Sequence, residues 1–308
     1  MLHFYKTTDN AICESDTISE GCWVNAVRPS IDEINFLIDE LHIDRDFVSA
    51  ALDEEESSRI EVEDDQTLVI IDTPVSINEG DTLVYTTMPV GIIITQKNII
   101  TVCLNEVGTL TDIANGFVKN LNTGMKTRFL LHILLRIAQS FLIRLKHINK
   151  MSTHIENELQ KSMKNKELIQ LLGLQKSLVY FSTSLKANEI TLEKILRGRV
   201  IKLYEEDQDL LEDVLIEFKQ AVEMSNIYSS ILTGTMDAFA SIISNNLNNV
   251  MKVLTIITTL MAIPTMIFSF YGMNMLDLGR FLPFTWFALA LSAVLVGIAS
   301  FILWKKKF

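Results

Sequence analysis

The residues best suited to chemistry form a stripe of small and polar side chains near the C-terminal end of the chain. They recur at steps of three and four residues, which places them on one face of an α-helix. Amide and hydroxyl groups on one face of an otherwise apolar helix suit a water-filled path for a cation. The same groups also serve helix packing in membranes, which is the alternative interpretation. The stripe consists of Asn248, Met251, Thr255, Thr258, Ala262, Thr265 and Ser269.

A short polar break, Tyr271-Gly272-Met273-Asn274, follows the stripe directly. It lies between two long apolar runs, where a plain membrane anchor needs neither a glycine nor an amide. The break therefore indicates either the mouth of a pore or a turn in which Gly and Asn cap the end of a helix. Pro264 lies within the stripe and removes one backbone hydrogen bond, which neighbouring helices or pore water can replace.

Two apolar runs are long enough to cross a membrane. Residues 253–270 and 281–304 contain no charged side chain, and about 20 residues span the hydrocarbon core. Lys252 and residues 305–307, all lysine, flank the pair, so the positive-inside rule places both termini in the cytoplasm. We therefore expect a multi-pass protein of the cell membrane, plasma or inner. Because two helices cannot enclose a hydrophilic path, several chains must assemble around it.

The acidic charge resides in the N-terminal part: residues 1–249 carry −15, and the remainder, where Asp277 is the single acidic residue, brings the net charge of the chain to −11. An acidic surface disfavours nucleic acid as a partner, because phosphates require clustered Lys and Arg, and it favours cations. Cys13, Cys22 and Cys103 lack CxxC spacing, which indicates reduced thiols of a cytosolic domain. Glycine-rich phosphate loops and GxSxG motifs are absent from the sequence, so we do not expect an enzyme.

The first hundred residues alternate helix-like and strand-like patterns. Ser30 and Glu33 have the spacing of a capping box at the start of an amphipathic helix. The β-branched runs at residues 69–71, 91–94 and 99–104 predict strands. This part of the chain is therefore predicted to be a cytosolic α/β domain, within a chain of the α+β class.

Three long helices are predicted after the strands, beginning at Lys126, at Lys166 and near Asp207. The third has no proline before Pro264, so we expect it to continue from the cytosol into the bilayer and to pack against copies of itself. The sequence thus predicts three segments: a cytosolic α/β domain at 1–125, a cytosolic helical region and stalk at 126–249, and a transmembrane domain at 250–308 with helices at about 250–271 and 281–304.

The segment NNVMKVLTIITTLMAIPTMIFSFYGMN, residues 248–274, closely resembles the first transmembrane helix of the CorA family of magnesium transporters, whose signature is GMN at the end of that helix. The tail LWKKKF and residues 23–65 resemble the same family, so the similarity covers most of the chain. The resemblance implies a homopentameric divalent-cation channel with a funnel-shaped cytosolic domain, a stalk helix that continues into the pore, and a peripheral second helix. Its cargo would be Mg²⁺, with Co²⁺ and Ni²⁺ as further candidates.

The resemblance also implies roles for individual pore residues. The external selectivity filter would comprise Tyr271, Gly272, Met273 and Asn274. Asn248 would form a polar ring at the cytosolic end, and Met251 with Leu254 or Thr255 would form the constriction. The loop after the motif departs from the family's Met-Pro-Glu-like turn, because it carries Asp277 and Arg280.

Mg²⁺ holds its six waters tightly, so a fast pathway would keep the water shell. A ring of Asn274 amide oxygens would accept hydrogen bonds from those waters without carrying charge. Gly272 would let the backbone turn closely, since it lacks a side chain and tolerates positive φ. These expectations treat Mg²⁺ as the transported ion.

Asp213 and Asp237 match, by their position relative to GMN, the acidic stalk positions with which the family senses internal Mg²⁺ between subunits. Mg²⁺ would then also be a regulatory ligand that holds the closed state, because it binds that state better than the open one. The alternative is that both carboxylates are simply solvated.

Two other functions stay open. A zinc transporter of the same fold is one, although the sequence has no HxxxH pair and no histidine in the stripe. The other is a membrane-anchored sensor or scaffold that performs no transport.

Overall fold

Seven strands and seven helices make up the part of the chain that the computed structural model describes, residues 1–8, 11–79, 82–119, 121–162, 165–198, 201, 204–272 and 285–305. The strands are β1 Leu2–Thr8, β2 Ala11–Ser15, β3 Trp23–Val27, β4 Arg59–Glu63, β5 Gln66–Glu79, β6 Thr82–Ile94 and β7 Ile99–Cys103. The helices are α1 Ile31–Asp39, α2 Arg45–Ala51, α3 Gly108–Ala114, α4 Lys126–Ser162, α5 Asn165–Gly198, α6 Glu205–Gly272 and α7 Thr285–Lys305.

The strands form one sheet in the order β2-β1-β3-β7-β6-β5-β4. Strands β3 and β7 pair in parallel, and the other pairs described are antiparallel. The central strands read as nearly continuous apolar runs because helices cover both of their faces. Strands and long helices thus occur in separate parts of the chain, as expected for the predicted α+β class.

One face of the sheet packs against α1 and α2. Val24, Leu68 and Ile100 contribute to this core from three strands, and Phe47 contributes from α2. Gly91 of β6 lies so close to Ala51 of α2 that a Cβ on the glycine would be 2.3 Å from the Ala51 Cβ. The helix therefore reaches the sheet at a point where no side chain larger than hydrogen fits.

The other face of the sheet packs against α4 and α5. Trp23, next to Val24 in β3, points to this side, and its ring centroid lies 5.3 Å from that of Phe129 in α4. The Trp23 indole donates a hydrogen bond of 2.9 Å to Thr101, whose hydroxyl donates to Asn25 at 2.9 Å. These three buried polar side chains are thus paired with one another, which offsets the cost of their burial.

Strands β5 and β6 extend beyond the rest of the sheet as a two-stranded ribbon, residues 72–79 and 82–89, which we call the distal hairpin. Among the described residues no further strand pairs with its outer edges, and polar side chains of α5 contact them instead. The Asn188 amide accepts from the Asp72 N–H and donates to the Asp72 carbonyl, both at 2.9 Å. The Ser177 hydroxyl accepts from the Tyr85 N–H at 2.9 Å. Helix α5 therefore satisfies edges that would otherwise be open to another strand.

The predicted secondary structure agrees with these elements. The Ser30 hydroxyl accepts from the Glu33 N–H, and the Glu33 carboxylate accepts from the Ser30 N–H, which confirms the capping box. The three β-branched runs lie in β5, β6 and β7. Helices α4, α5 and α6 begin at Lys126, Asn165 and Glu205, within two residues of the predicted starts.

The chain divides into two compact units, Met1–Thr235 and Met236–Phe308. The first contains the sheet, α1 to α5 and the first part of α6, and the second contains the remainder of α6 together with α7. The finer division into cytosolic domain, stalk and transmembrane segments stays a prediction.

Candidate ion pathway

Helix α6 carries the whole polar stripe without interruption, since it extends from Glu205 to Gly272 with Pro264 inside it. At about 100° per residue, the stripe occupies an arc of roughly 120° on that helix. All of its side chains are exposed in the single chain, including Leu254 within the same arc.

The face opposite the stripe is covered in part. Its partly buried positions all lie within an arc of about 100° centred roughly opposite the stripe. They are apolar, in contrast to the stripe. One chain therefore partly covers this apolar side of α6 and leaves the polar side open. These positions are Ile256, Leu260, Ile263, Pro264 and Ile267.

The threonine hydroxyls of the stripe donate their hydrogens to the helix itself. Thr255 donates to the Met251 carbonyl at 2.7 Å, and Thr265 donates to the Met261 carbonyl at 2.8 Å. Thr258 lies 3.0 Å from the carbonyls of Leu254 and of Thr255. Because the hydrogens are used within the helix, each hydroxyl presents oxygen lone pairs outward, and these accept from water or contact a cation.

Pro264 leaves one carbonyl of the helix without its usual donor. The residue has no N–H, so the carbonyl of Leu260 lacks the hydrogen bond that an α-helix would give it. In a bilayer such a group needs a neighbouring helix or water. The helix thus requires a partner or water at this level.

The predicted filter lies at the end of α6 and only partly within the described residues. Gly272 is the last residue of the helix, and its φ is not in the positive range. A Cβ on Gly272 would meet nothing within 4 Å in the single chain. The backbone of Tyr271 is helical, whereas Met273 and Asn274 lie outside the described residues, together with Asp277 and Arg280 of the loop.

Two described helices are long and apolar enough to cross a membrane, the apolar part of α6 and helix α7. Ala288 and Ser292, one turn apart, are its buried positions among the described residues. Small residues at this spacing allow helices to approach closely in a bilayer. The sequence prediction did not include this pair, although its four-residue spacing was the available signal.

The two predicted regulatory carboxylates are separated between the two units. Asp213 belongs to the first unit and Asp237 to the second, and both are exposed. Neither has a hydrogen bond or ion pair within the described ranges, which also contain no cluster of three or more metal-ligating side chains. Within the described residues, each carboxylate could therefore offer a metal only its own oxygens, with water as the remaining ligands.

The family model of CorA-like Mg²⁺ transporter proteins matches residues 19–307 of the chain. A curated relative, the cobalt/magnesium transport protein CorA of Methanocaldococcus jannaschii, is 30% identical over 295 residues, which cover 91% of this chain and 89% of that protein.

Two solved structures show how far the fold extends. The complete structure of the CorA magnesium transporter from Methanocaldococcus jannaschii has a TM-score of 0.82 and 26% identity, covering 98% of this chain and 97% of that one. The cytoplasmic domain of ZntB from Vibrio parahaemolyticus has a TM-score of 0.61 and covers 80% of this chain and 98% of that domain. Its identity of 14% indicates a shared fold alone.

Proposed function

The chain belongs to the family of CorA-like Mg²⁺ transporter proteins, and from this premise we propose that it conducts hydrated Mg²⁺ through a pore lined by the polar stripe of α6. The family transports divalent cations across membranes, and the two apolar helices of this chain suit that role. The proposal adds the cargo, the lining residues, the homopentamer and the control by internal Mg²⁺.

The observation that carries the proposal is the contrast between the two faces of α6. The single chain leaves the stripe side fully exposed and partly covers the opposite, apolar side. In a bilayer an exposed row of hydroxyl and amide groups is unfavourable unless it meets water or other protein. A ring of identical chains, each presenting this face inward, supplies such surroundings.

A pair of cysteine substitutions on neighbouring positions tests this orientation. We expect a charged thiol reagent to modify Thr258→Cys, which lies on the stripe, and to leave Leu260→Cys unmodified, because Leu260 lies on the opposite face. Both variants are made with Cys13 replaced by Ser, since Cys13 is exposed. Modification of Leu260→Cys without modification of Thr258→Cys would show that the stripe does not line water.

The filter proposal rests on amide chemistry at Asn274. An amide oxygen accepts hydrogen bonds from the coordinated waters of Mg²⁺ without removing them, and dehydration of Mg²⁺ is slow. Loss of one such hydrogen bond per chain should cost about tenfold or more in flux, since about 1.4 kcal/mol corresponds to a factor of ten. Asn274→Ala in liposomes with a Mg²⁺-sensitive dye should show this loss. Ser300→Ala, an exposed change on α7, serves as the control and should retain full flux.

For regulation, we place internal Mg²⁺ between chains at Asp213 and Asp237. The support is that both carboxylates are exposed and lack a partner in the described part of the chain, so they are available to a bridging cation. The double variant Asp213→Asn, Asp237→Asn should reduce Mg²⁺ inhibition of flux and the protection of the protein from protease by Mg²⁺. Unchanged inhibition and protection would remove both residues from this role.

The same liposome assay separates the remaining candidates. Fluxes of Mg²⁺, Co²⁺, Ni²⁺ and Zn²⁺ measured side by side decide the cargo, and a preference for Zn²⁺ would replace the present proposal. A sensor or scaffold would show no flux of any of them. It would also tolerate scrambling of the stripe at constant hydrophobicity.

A further inference from the structure

A groove between α4 and α5 lies within the first unit, on helices that the ion pathway does not use. Its volume is about 470 Å³, within the range of small-ligand pockets, roughly 300 to 1,000 Å³. His147, Lys150 and His154 line one wall, at spacings that put them on one face of α4. We call this the basic groove.

The charge of the basic groove is opposite to that of the protein. The chain carries 38 acidic and 27 basic residues, but no Asp or Glu lines the groove in the described part of the chain. Lys150 is exposed and has no ion pair or hydrogen bond within the described ranges, and the same holds for His154. An ammonium left without a counter-ion in an acidic protein offers a place for an anion.

His147 is held at one ring nitrogen by a buried tyrosine, and the described residues give the other ring nitrogen no hydrogen bond. Its Nδ1 lies 2.5 Å from the hydroxyl of Tyr85, which is 5% exposed. Burial raises the pKa of Tyr85, so the phenol keeps its proton at neutral pH and can donate to Nδ1. When Tyr85 is the donor, the hydrogen of a neutral His147 resides on Nε2, and an imidazolium also carries one there. With Tyr85 as the donor to Nδ1, the groove wall presents an N–H donor in either protonation state.

The floor of the basic groove is apolar, in contrast to its wall. Leu83 and Met151 are partly exposed there, above the buried Ile155 and Leu174. Gln170 of α5 adds one amide opposite the wall of Lys150 and the two histidines. A ligand that fits both surfaces combines an anionic group with an apolar body. We propose that the basic groove binds a soluble organic phosphate of nucleotide size, with the phosphate at Lys150 and His147 and the apolar body over Leu83 and Met151.

Equilibrium dialysis of the full-length protein in detergent, with adenosine monophosphate and without divalent cations, tests the proposal. Lys150→Gln should weaken binding at least tenfold, the loss expected for a charge-assisted hydrogen bond. Lys146→Gln removes the same charge one turn away, outside the groove, and should bind as the unchanged protein does. Both lysines are exposed, so neither change disturbs the core.

Two ligand fragments complete the experiment. Adenosine and inorganic phosphate should each bind more weakly than adenosine monophosphate, because each contacts only half of the groove. Absence of nucleotide binding, or equal binding by the Lys150→Gln and Lys146→Gln variants, overturns the proposal. Inorganic phosphate binding as tightly as the nucleotide also overturns it, since the groove would then hold a simple anion. Transport assays are not needed, so this outcome is independent of the proposed pore.

Discussion

Gly91→Ala should destabilise the first unit strongly, and the expected size follows from one contact. The added Cβ would lie 2.3 Å from the Cβ of Ala51 and 3.3 Å from its Cα, whereas carbon atoms in contact prefer about 3.5 to 4.0 Å. The strand and helix would thus have to separate by about 1.2 to 1.7 Å at this point. Strand β6 cannot yield easily, because Gly91 pairs with Ile70 on one side and Val102 on the other.

Ala51 cannot yield easily either, since it is fully buried and ends a helix whose Phe47 and Val48 are in the core. We therefore expect the upper end of the usual overpacking cost, about 3 kcal/mol. For a unit of this size that corresponds to a fall of roughly 6 to 12 °C in the apparent melting temperature. The measurement is thermal unfolding of the full-length protein in detergent at one fixed scan rate, because such unfolding is often irreversible.

Two further variants make this result interpretable. Gly108→Ala adds the same methyl group where nothing lies within 4 Å, so it should be neutral or slightly stabilising. Ala51→Gly combined with Gly91→Ala removes the 2.3 Å contact and should recover part of the loss. The close approach of α2 to β6 would not explain the instability if Gly91→Ala had the melting temperature of the unchanged protein. The same conclusion would follow if adding Ala51→Gly did not raise the melting temperature of Gly91→Ala.

Two more predictions concern buried groups of the same unit. Burial raises the pKa of Asp72 despite hydrogen bonds from Ser184 and Ser58. Between this raised pKa and the unfolded value of about 4, the folded state holds a proton that the unfolded state releases, so stability should rise as pH falls through that window. Asp72→Asn should therefore melt a few degrees higher at neutral pH and show a flatter pH profile; a lower melting temperature at neutral pH would contradict this. Burial likewise raises the pKa of Cys103 to about 12. A thiol reagent should therefore label the exposed Cys13 quickly and leave Cys103 unmodified until the protein unfolds. Mass spectrometry counts the labels, and fast labelling of Cys103 would refute its burial.

Local signals in the sequence were sufficient for most of the fold. The capping box at Ser30 and Glu33 involves residues three apart, so the sequence contains all of its parts. Periodicity likewise predicted α4, α5 and α6, because an apolar stripe on a helix repeats every three or four residues. The position of the polar stripe on one face of α6 followed from the same periodicity.

Contacts between distant segments could not be predicted in this way. Asn188 and Asp72 are 116 residues apart in the chain, and a polar residue on a helix normally indicates a solvated face. The spacing of His147, Lys150 and His154 on α4 is visible in the sequence, but Tyr85, which contacts His147, comes from β6. The sequence also could not predict which face of α6 the chain covers, because that depends on contacts in the folded structure.

The side chains that join α5 to the distal hairpin have a mechanical consequence. An apolar helix can slide or roll over a sheet with little change in its contacts, since hydrophobic burial has no direction. Here Ser177 and Asn188 bond to the backbone of the ribbon, and Ser184 bonds to Thr87 between them at 2.7 Å. A slip of one turn would break all three levels of hydrogen bonds together. Helix α5 and the distal hairpin should therefore move as one rigid body, so that a displacement of the helix also displaces the hairpin.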